Sequence, residues 1–373
     1  MSKILIYTQN VHDLYTGVIV DFLLQRKYEV LLISPKINHT PINNMIRGDK
    51  IQHYTLVNRL NTKRRYIPRL LLKVLNIFVD YVNCVRLYRI LKLGNYDKFI
   101  ILDSYNKYMW FPLALFYPKK AVSKTILTVH NIHHHIKSES GSKWWQARIA
   151  QFSSEYIVLT TWMKEALSKH TSKSIHVIPF SVSVDKDISR RLNYKQKLEN
   201  YPIRFVIPGN VSHKRKPYIE IFESFSRYSN DIYSLTLLGK IEDPSIIRYA
   251  KINNINIEYF WDKVSDIDFD RIMSSSHFSI GFVSDKLPYG TYKASGVSFD
   301  GPKYGVPTLI NKQHLITEKG VFHFIESLDE FLETVLMEFD FDKYFQENYK
   351  IALNKMKANK ITNIKNIDIL QEE

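Results

Sequence analysis

Short runs of β-branched and other apolar residues alternate with helix-period stretches along most of the chain, and this alternation narrows the possible folds more than any other feature. Ile4–Tyr7, Val30–Ser34, Phe99–Leu102, Thr125–His130, Tyr156–Leu159 and His176–Pro179 are each bounded by polar or turn residues and predict buried parallel strands. Gly17–Lys27, Lys143–Gln151 and Thr161–Lys169 predict helices between them. A polar stretch, Ser183–Tyr201, interrupts the pattern, which then restarts. Phe205–Pro208, Leu235–Leu238, Ile255–Tyr259, Phe278–Val283 and Pro307–Ile310 predict the second set of strands. Pro217–Tyr228, Pro244–Asn253, Asp266–Ser275 and Val297–Tyr304 predict its helices, and Leu328–Glu338 and Phe341–Lys357 read as helical too. The expected architecture is α/β, two Rossmann-like doubly wound domains over 1–183 and 184–340, followed by a helical tail over 341–373.

Charge narrows the partners. Lys and Arg number 52 against 37 Asp and Glu, a net charge of +15, which points to a polyanion: nucleic acid, an anionic membrane or a phosphorylated substrate. The one cysteine, Cys84, excludes an internal disulfide framework and a cysteine-based zinc cage and fits a reducing cytoplasm. No apolar run approaches the ~20 residues of a membrane span, since Lys73 ends Leu70–Leu72 and Pro112 interrupts Trp110–Tyr117. The start, Met-Ser-Lys-Ile-Leu-Ile-Tyr, reads as a first strand and not as a signal peptide. Arg59–Lys92 carries nine Lys or Arg and a single acid, Asp80, interleaved with Leu, Val, Ile, Phe and Tyr. That spacing suits basic amphipathic helices on an anionic membrane. A non-catalytic nucleic-acid binder is the rival use of the charge, but no recognition helix, zinc finger or RNP-like strand is visible.

The most informative segment is Leu287–Pro307, which follows a strand and leads into a helix starting near Val297. Lys293, Ser295 and Gly296 would sit at that helix N-terminus, where amides, dipole and ammonium converge as a diphosphate requires. Asp300, one turn in, would reach a ribose hydroxyl pair. The strand Phe205–Pro208 runs into Gly209 and then the basic triplet Lys214-Arg215-Lys216, and Leu235–Leu238 runs into Gly239.

With these stretches the second half resembles the nucleotide-sugar domain of GT-B glycosyltransferases, close to glycosyltransferase family 4 and related bacterial polysaccharide glycosyltransferases. The likeness covers about residues 204–311; the first half matches more loosely, through Thr128-Val-His130-Asn, Val158-Leu-Thr160 and Val177-Ile-Pro179. The resemblance implies two domains facing a central cleft, the second holding a nucleoside diphosphate sugar, UDP first among nucleotides, and the first an acceptor. It implies that Gly209 and Gly239 let the backbone approach the donor, and that Lys214, Arg215 or Lys216 neutralises the diphosphate. Phe260 or Trp261 would stack on the base. Retaining members carry Glu-x7-Glu here; this chain has Tyr292 and Asp300 in those places, which leaves retention or inversion open.

His130, at a strand's C-terminal end, is a candidate for contact with the transferring sugar or for the base. His12 with Asp13, or Asp103, could also supply an inverting base. His133, His134 and His135 lie next to each other after that strand, a poor spacing for zinc, and no metal or other cofactor is expected. Asp268-Phe-Asp270 and Asp340-Phe-Asp342 read as solvated helix faces. The function expected is transfer of a hexosyl or galactofuranosyl group to a glycan or undecaprenyl-linked acceptor in bacterial capsule or O-antigen assembly. The protein would work at the cytoplasmic membrane's inner face, with no nucleic acid involved.

Overall fold

The computed structural model describes residues 2–9, 13–35, 42, 46, 48, 50–60, 68–104, 106–132, 144–178, 202–284, 296, 300–301, 304, 306–311 and 322–337. They fall into two compact units, one within 1–180 and the other within 181–366. The domain limits expected at 183 and 340, and the tail over 341–373, lie outside the described residues.

The first unit is a seven-stranded parallel sheet with helices: β1 (Lys3–Tyr7), α1 (Asp13–Gln25), β2 (Glu29–Ser34), β3 (Gln52–Thr55), α2 (Arg69–Leu93), β4 (Lys98–Ile101), α3 (Lys107–Leu115), α4 (Lys119–Val122), β5 (Thr125–Thr128), α5 (Trp144–Phe152), β6 (Glu155–Val158), α6 (Thr161–Ser168) and β7 (Ser174–Val177). The strand order is β3-β2-β1-β4-β5-β6-β7, with Ile4 opposite both Val30 and Lys98. Central strands such as Thr-Ile-Leu-Thr of β5 are buried on both faces, which is why they read as continuous apolar runs. Right-handed crossovers put α2, α3, α4 and α5 on one face of this sheet, and α3 packs against both α2 and α5.

The 25-residue α2 does more than cover the sheet. Asn76, Asp80 and Asn83 recur at i, i+4 and i+7 and face the extended segment that follows β3. The Asn83 amide donates to the Val57 carbonyl at 2.9 Å and accepts from the Val57 N–H at 2.9 Å. Asn76 does the same for Leu60, accepting at 2.7 Å and donating at 3.3 Å. Between them, Asp80 accepts from Arg59 Nε at 2.8 Å and from Asn106 at 2.8 Å. Arg59 is therefore paired with the buried acid and is not a spare cation for lipid headgroups, as the basic reading of 59–92 would have it.

The second unit holds β8 (Ile203–Pro208), α7 (Tyr218–Phe225), β9 (Tyr233–Lys240), α8 (Pro244–Ile252), β10 (Ile257–Phe260), α9 (Asp266–Ser275), β11 (Phe278–Ile280), β12 (Thr308–Ile310), β13 (Phe322–Phe324) and α10 (Leu328–Leu336). Its six parallel strands run in the order β10-β9-β8-β11-β12-β13. One core lies between the sheet and α7, α8 and α10, around Phe205, Phe222, Phe278 and Phe331. A smaller one gathers Val206, Leu238, Met273 and Tyr304. No described helix is long and apolar enough to cross a membrane.

Candidate functional site

In each unit the strand order reverses at one place, β8/β11 in the second and β1/β4 in the first. Loops leaving the C-terminal ends of these strands diverge there, and the crevice they leave is where ligands bind in doubly wound sheets.

In the second unit β8 ends at Gly209, which has φ +100°, and a Cβ built there would meet nothing within 4 Å. Backbone and open space therefore face each other at the strand end. Gly239, by contrast, is required by a neighbouring backbone, since its Cβ would stand 2.2 Å from the Gly209 carbonyl oxygen. The loop beyond Gly209 is tied to β9 through Val211, whose N–H donates to the Lys240 carbonyl at 2.9 Å.

A tight turn then sorts the basic triplet. The Ser212 carbonyl accepts from the N–H groups of both Arg215 and Lys216, at 2.9 and 3.2 Å. Lys214 and Arg215 are left exposed, and Arg215 pairs loosely with Glu242 at 3.7 Å. Lys216 turns inward: it is 6% exposed, and its Nζ has no hydrogen-bond partner among the described residues. Burial lowers its ammonium from the ordinary lysine range to about 8, opposed by the charge of Asp300 and assisted by that of Arg215. The loop after β11 closes on the same turn, with Ser284 N–H donating to the Arg215 carbonyl at 3.0 Å. The Tyr218 hydroxyl, two residues on, is likewise buried without a hydrogen-bond partner among the described residues.

Asp300 is helical, its N–H donating to the Gly296 carbonyl at 3.0 Å. Tyr292, Lys293 and Ser295 lie outside the described residues. Of the two aromatic candidates, Phe260 is partly buried against the smaller core, and Trp261 is 57% exposed with its ring perpendicular to that of Tyr259. Asp268 and Asp270 have structural work: Asp268 and Ser265 bond reciprocally as a capping pair, and Asp270 accepts from the Tyr304 hydroxyl. Among the described residues no group of His, Cys, Asp and Glu could hold a metal ion, while His133–His135 and Asp340-Phe-Asp342 lie outside them.

In the first unit Asp103, just past β4, is buried and accepts from Gln9 N–H at 2.8 Å and Thr8 Oγ1 at 3.3 Å. This carboxylate ties the β1 and β4 loops together at the reversal. His130 Nε2 lies 2.8 Å from the Leu102 carbonyl, which only accepts, so Nε2 carries the proton. His130 and Asp103 thus lie beyond the C-terminal ends of two neighbouring strands, β5 and β4. The side chain of Asp13 and all of His12 lie outside the described residues. What the sequence did not reveal is that only Lys216 of the three cations is enclosed.

No protein-family description matches this sequence, and no curated protein does. Solved structures match almost end to end. HepE of Anabaena in complex with UDP and glucose has TM-score 0.64 at 12% identity, over 98% of this chain and 97% of that one. Sucrose-phosphate synthase of Thermosynechococcus elongatus has TM-score 0.62 at 11% identity, over 97% and 96%. The UDP-GlcNAc 2-epimerase of Neisseria meningitidis, bound to UDP-GlcNAc, has TM-score 0.54 at 12% identity, over 97% and 100%. Two parallel, doubly wound units with these neighbours define the GT-B fold.

Proposed function

We propose that this chain is a nucleotide-sugar-dependent glycosyltransferase akin to glycosyltransferase family 4, with UDP as the donor nucleotide. The observation that carries the reading is Lys216: a buried ammonium without a hydrogen-bond partner among the described residues, at the reversal of a parallel sheet, with Asp300 as the carboxylate acting on it. A lone buried cation costs several kcal/mol unless an anion meets it, so the site is built for one. A diphosphate beside Gly209 would supply that anion, with Asp300 on the ribose, Trp261 on the base and Arg215 and Lys214 at the rim. Lys293, Ser295 and Gly296 would complete the phosphate cradle. Charge developing on the leaving phosphate is then met by these ammonium and guanidinium groups and by backbone amides.

The acceptor, a glycan or undecaprenyl-linked glycan, belongs to the first unit, where His130, Asp103, His12 or Asp13 meets its hydroxyl. Because His130 Nε2–H is committed to Leu102, the nitrogen left to meet an acceptor hydroxyl is Nδ1, which in the neutral ring accepts a proton. The setting we assign is capsule or O-antigen synthesis at the inner face of the cytoplasmic membrane, by hexosyl or galactofuranosyl transfer. Nucleotide-sugar epimerases share the fold, and a nucleic-acid binder is not favoured.

The test is a panel of nucleotide sugars incubated with and without lipid-linked acceptor. Transfer predicts nucleoside diphosphate release that depends on acceptor and is lost in Lys216→Met. A sugar isomerised while still attached to its nucleotide would replace transfer with epimerisation.

A further inference from the structure

The helices α2 to α5, side by side on one face of the first sheet, are apolar where a solvated face carries charge. On α2, Leu70, Val74, Phe78 and Tyr81 recur at i, i+4, i+8 and i+11, one face of the helix. Leu70 is 75% exposed and Phe78 65%. On α3, Tyr108, Phe111 and Leu115 recur at i, i+3 and i+7 and are all exposed, and Phe116 beyond the helix is 71% exposed. The rings of Phe111 and Trp144 lie 5.6 Å apart, so the row continues onto α5. The opposite side of α2, with Leu72, Cys84, Leu87 and Leu91, is buried and accounts for the helix's place in the fold. The outward row has no such use.

Charge selects what covers it. Asp80 is the one acid in these four helices, and it is buried against Arg59. Lys73, Arg89, Lys92, Lys107, Lys119 and Lys120 are all exposed. A second copy of this face would bring cations against cations. An anionic bilayer offers acyl chains to the apolar rows and phosphates to the lysines at once.

We infer that this face is a membrane-docking surface, with Leu70, Phe78, Phe111 and Phe116 entering the acyl boundary of an anionic bilayer and the surrounding cations at its headgroups. The inference rests on the reading of a peripheral enzyme and extends it: attachment includes α3 and α5, beyond residue 92, and depends on apolar insertion as well as charge.

The full chain is floated with vesicles of phosphatidylcholine plus phosphatidylglycerol, alongside the variant Leu70→Gln/Phe78→Gln/Phe111→Gln/Phe116→Gln. All four side chains are exposed, so the core is untouched, and thermal unfolding confirms it. We expect the variant to lose about tenfold or more in partitioning at low salt, with every Lys and Arg still present. Wild type should retain part of its binding at salt that screens the cations. Equal binding of the two proteins, or no binding of wild type, overturns the assignment. So does a concentration-dependent dimer of wild type that the substitutions abolish, since the face would then belong to a second copy. UDP-induced stabilisation, measured on both proteins, is independent: if it is absent while wild type alone floats, the transferase reading fails and the docking surface stands.

Discussion

A methyl group on Gly239 would stand 2.2 Å from the carbonyl oxygen of Gly209, so the ends of β9 and β8 approach as closely as two backbones can. Neither strand can yield without moving the loop that carries Lys216. Gly239→Ala should cost about 1–3 kcal/mol of stability. It should also blunt UDP-induced stabilisation, and urea unfolding with and without UDP measures both.

Lys216→Met keeps the stem and removes the buried charge. The apo protein should be as stable as wild type or more so, because the lost ammonium had no hydrogen-bond partner among the described residues. Binding of UDP should fall at least about tenfold, equivalent to ~1.4 kcal/mol. A variant that is destabilised and still binds UDP would make Lys216 a structural residue.

The same lysine has a pH signature. Its folded value, about 8, lies below the ordinary 10.5, so between these the unfolded chain holds more protons. Stability should therefore rise with pH from about 8 to 10.5, by at most ~3 kcal/mol. The rise should be missing in Lys216→Met, and UDP affinity should fall over the same range. Parallel thermal melts of the two proteins isolate this lysine from other groups titrating there.

Asp300 opposes the effect of burial on Lys216. In Asp300→Asn the alkaline rise should start at lower pH, and a nucleoside diphosphate should bind more weakly through loss of a charge-assisted ribose contact. UDP compared with its 2′,3′-dideoxy analogue separates the two effects: only the contact with UDP should suffer from the ribose term.

At the opposite end of the first sheet Glu155 accepts from His176 Nε2 at 2.6 Å and pairs with Lys98. Burial alone would raise its carboxyl; the hydrogen bonds of His176 and Lys98 outweigh it and hold the group below the ordinary 4.5. Its contribution is present above that value and is lost as pH falls through the folded one. Glu155→Gln should cost about 1–3 kcal/mol at neutral pH, and its difference from wild type should shrink in acid.

Most of the fold was legible because buried parallel strands need unbroken apolar runs, as Phe99–Ile101 and Phe205–Pro208 show. Two strands were not. Gln-His-Tyr-Thr of β3 lies at a sheet edge and is largely exposed, so nothing selects apolar residues there, and β13 is only three residues long. Helix α3 was missed because it runs through Pro112, whose ring removes one hydrogen bond while Phe116 N–H still reaches the Pro112 carbonyl. The basic triplet was visible, but which lysine turns inward depends on the Ser212 turn, a backbone event without a sequence mark. Nothing in the sequence marked Asn76, Asp80 and Asn83 as a set, because their partners, 57–60, are fixed only in three dimensions.

That clasp has a bearing on solubility. A parallel sheet ends in strands with unused N–H and C=O groups, which invite pairing with another chain. Here β3 offers Gln52–Thr55 only, and beyond it the amide side chains of Asn83 and Asn76 occupy the backbone groups of Val57 and Leu60. An incoming strand would run out of template after four residues. The first sheet is thus guarded against self-association at this border by two asparagines, and replacing both with alanine would release the backbone groups of Val57 and Leu60.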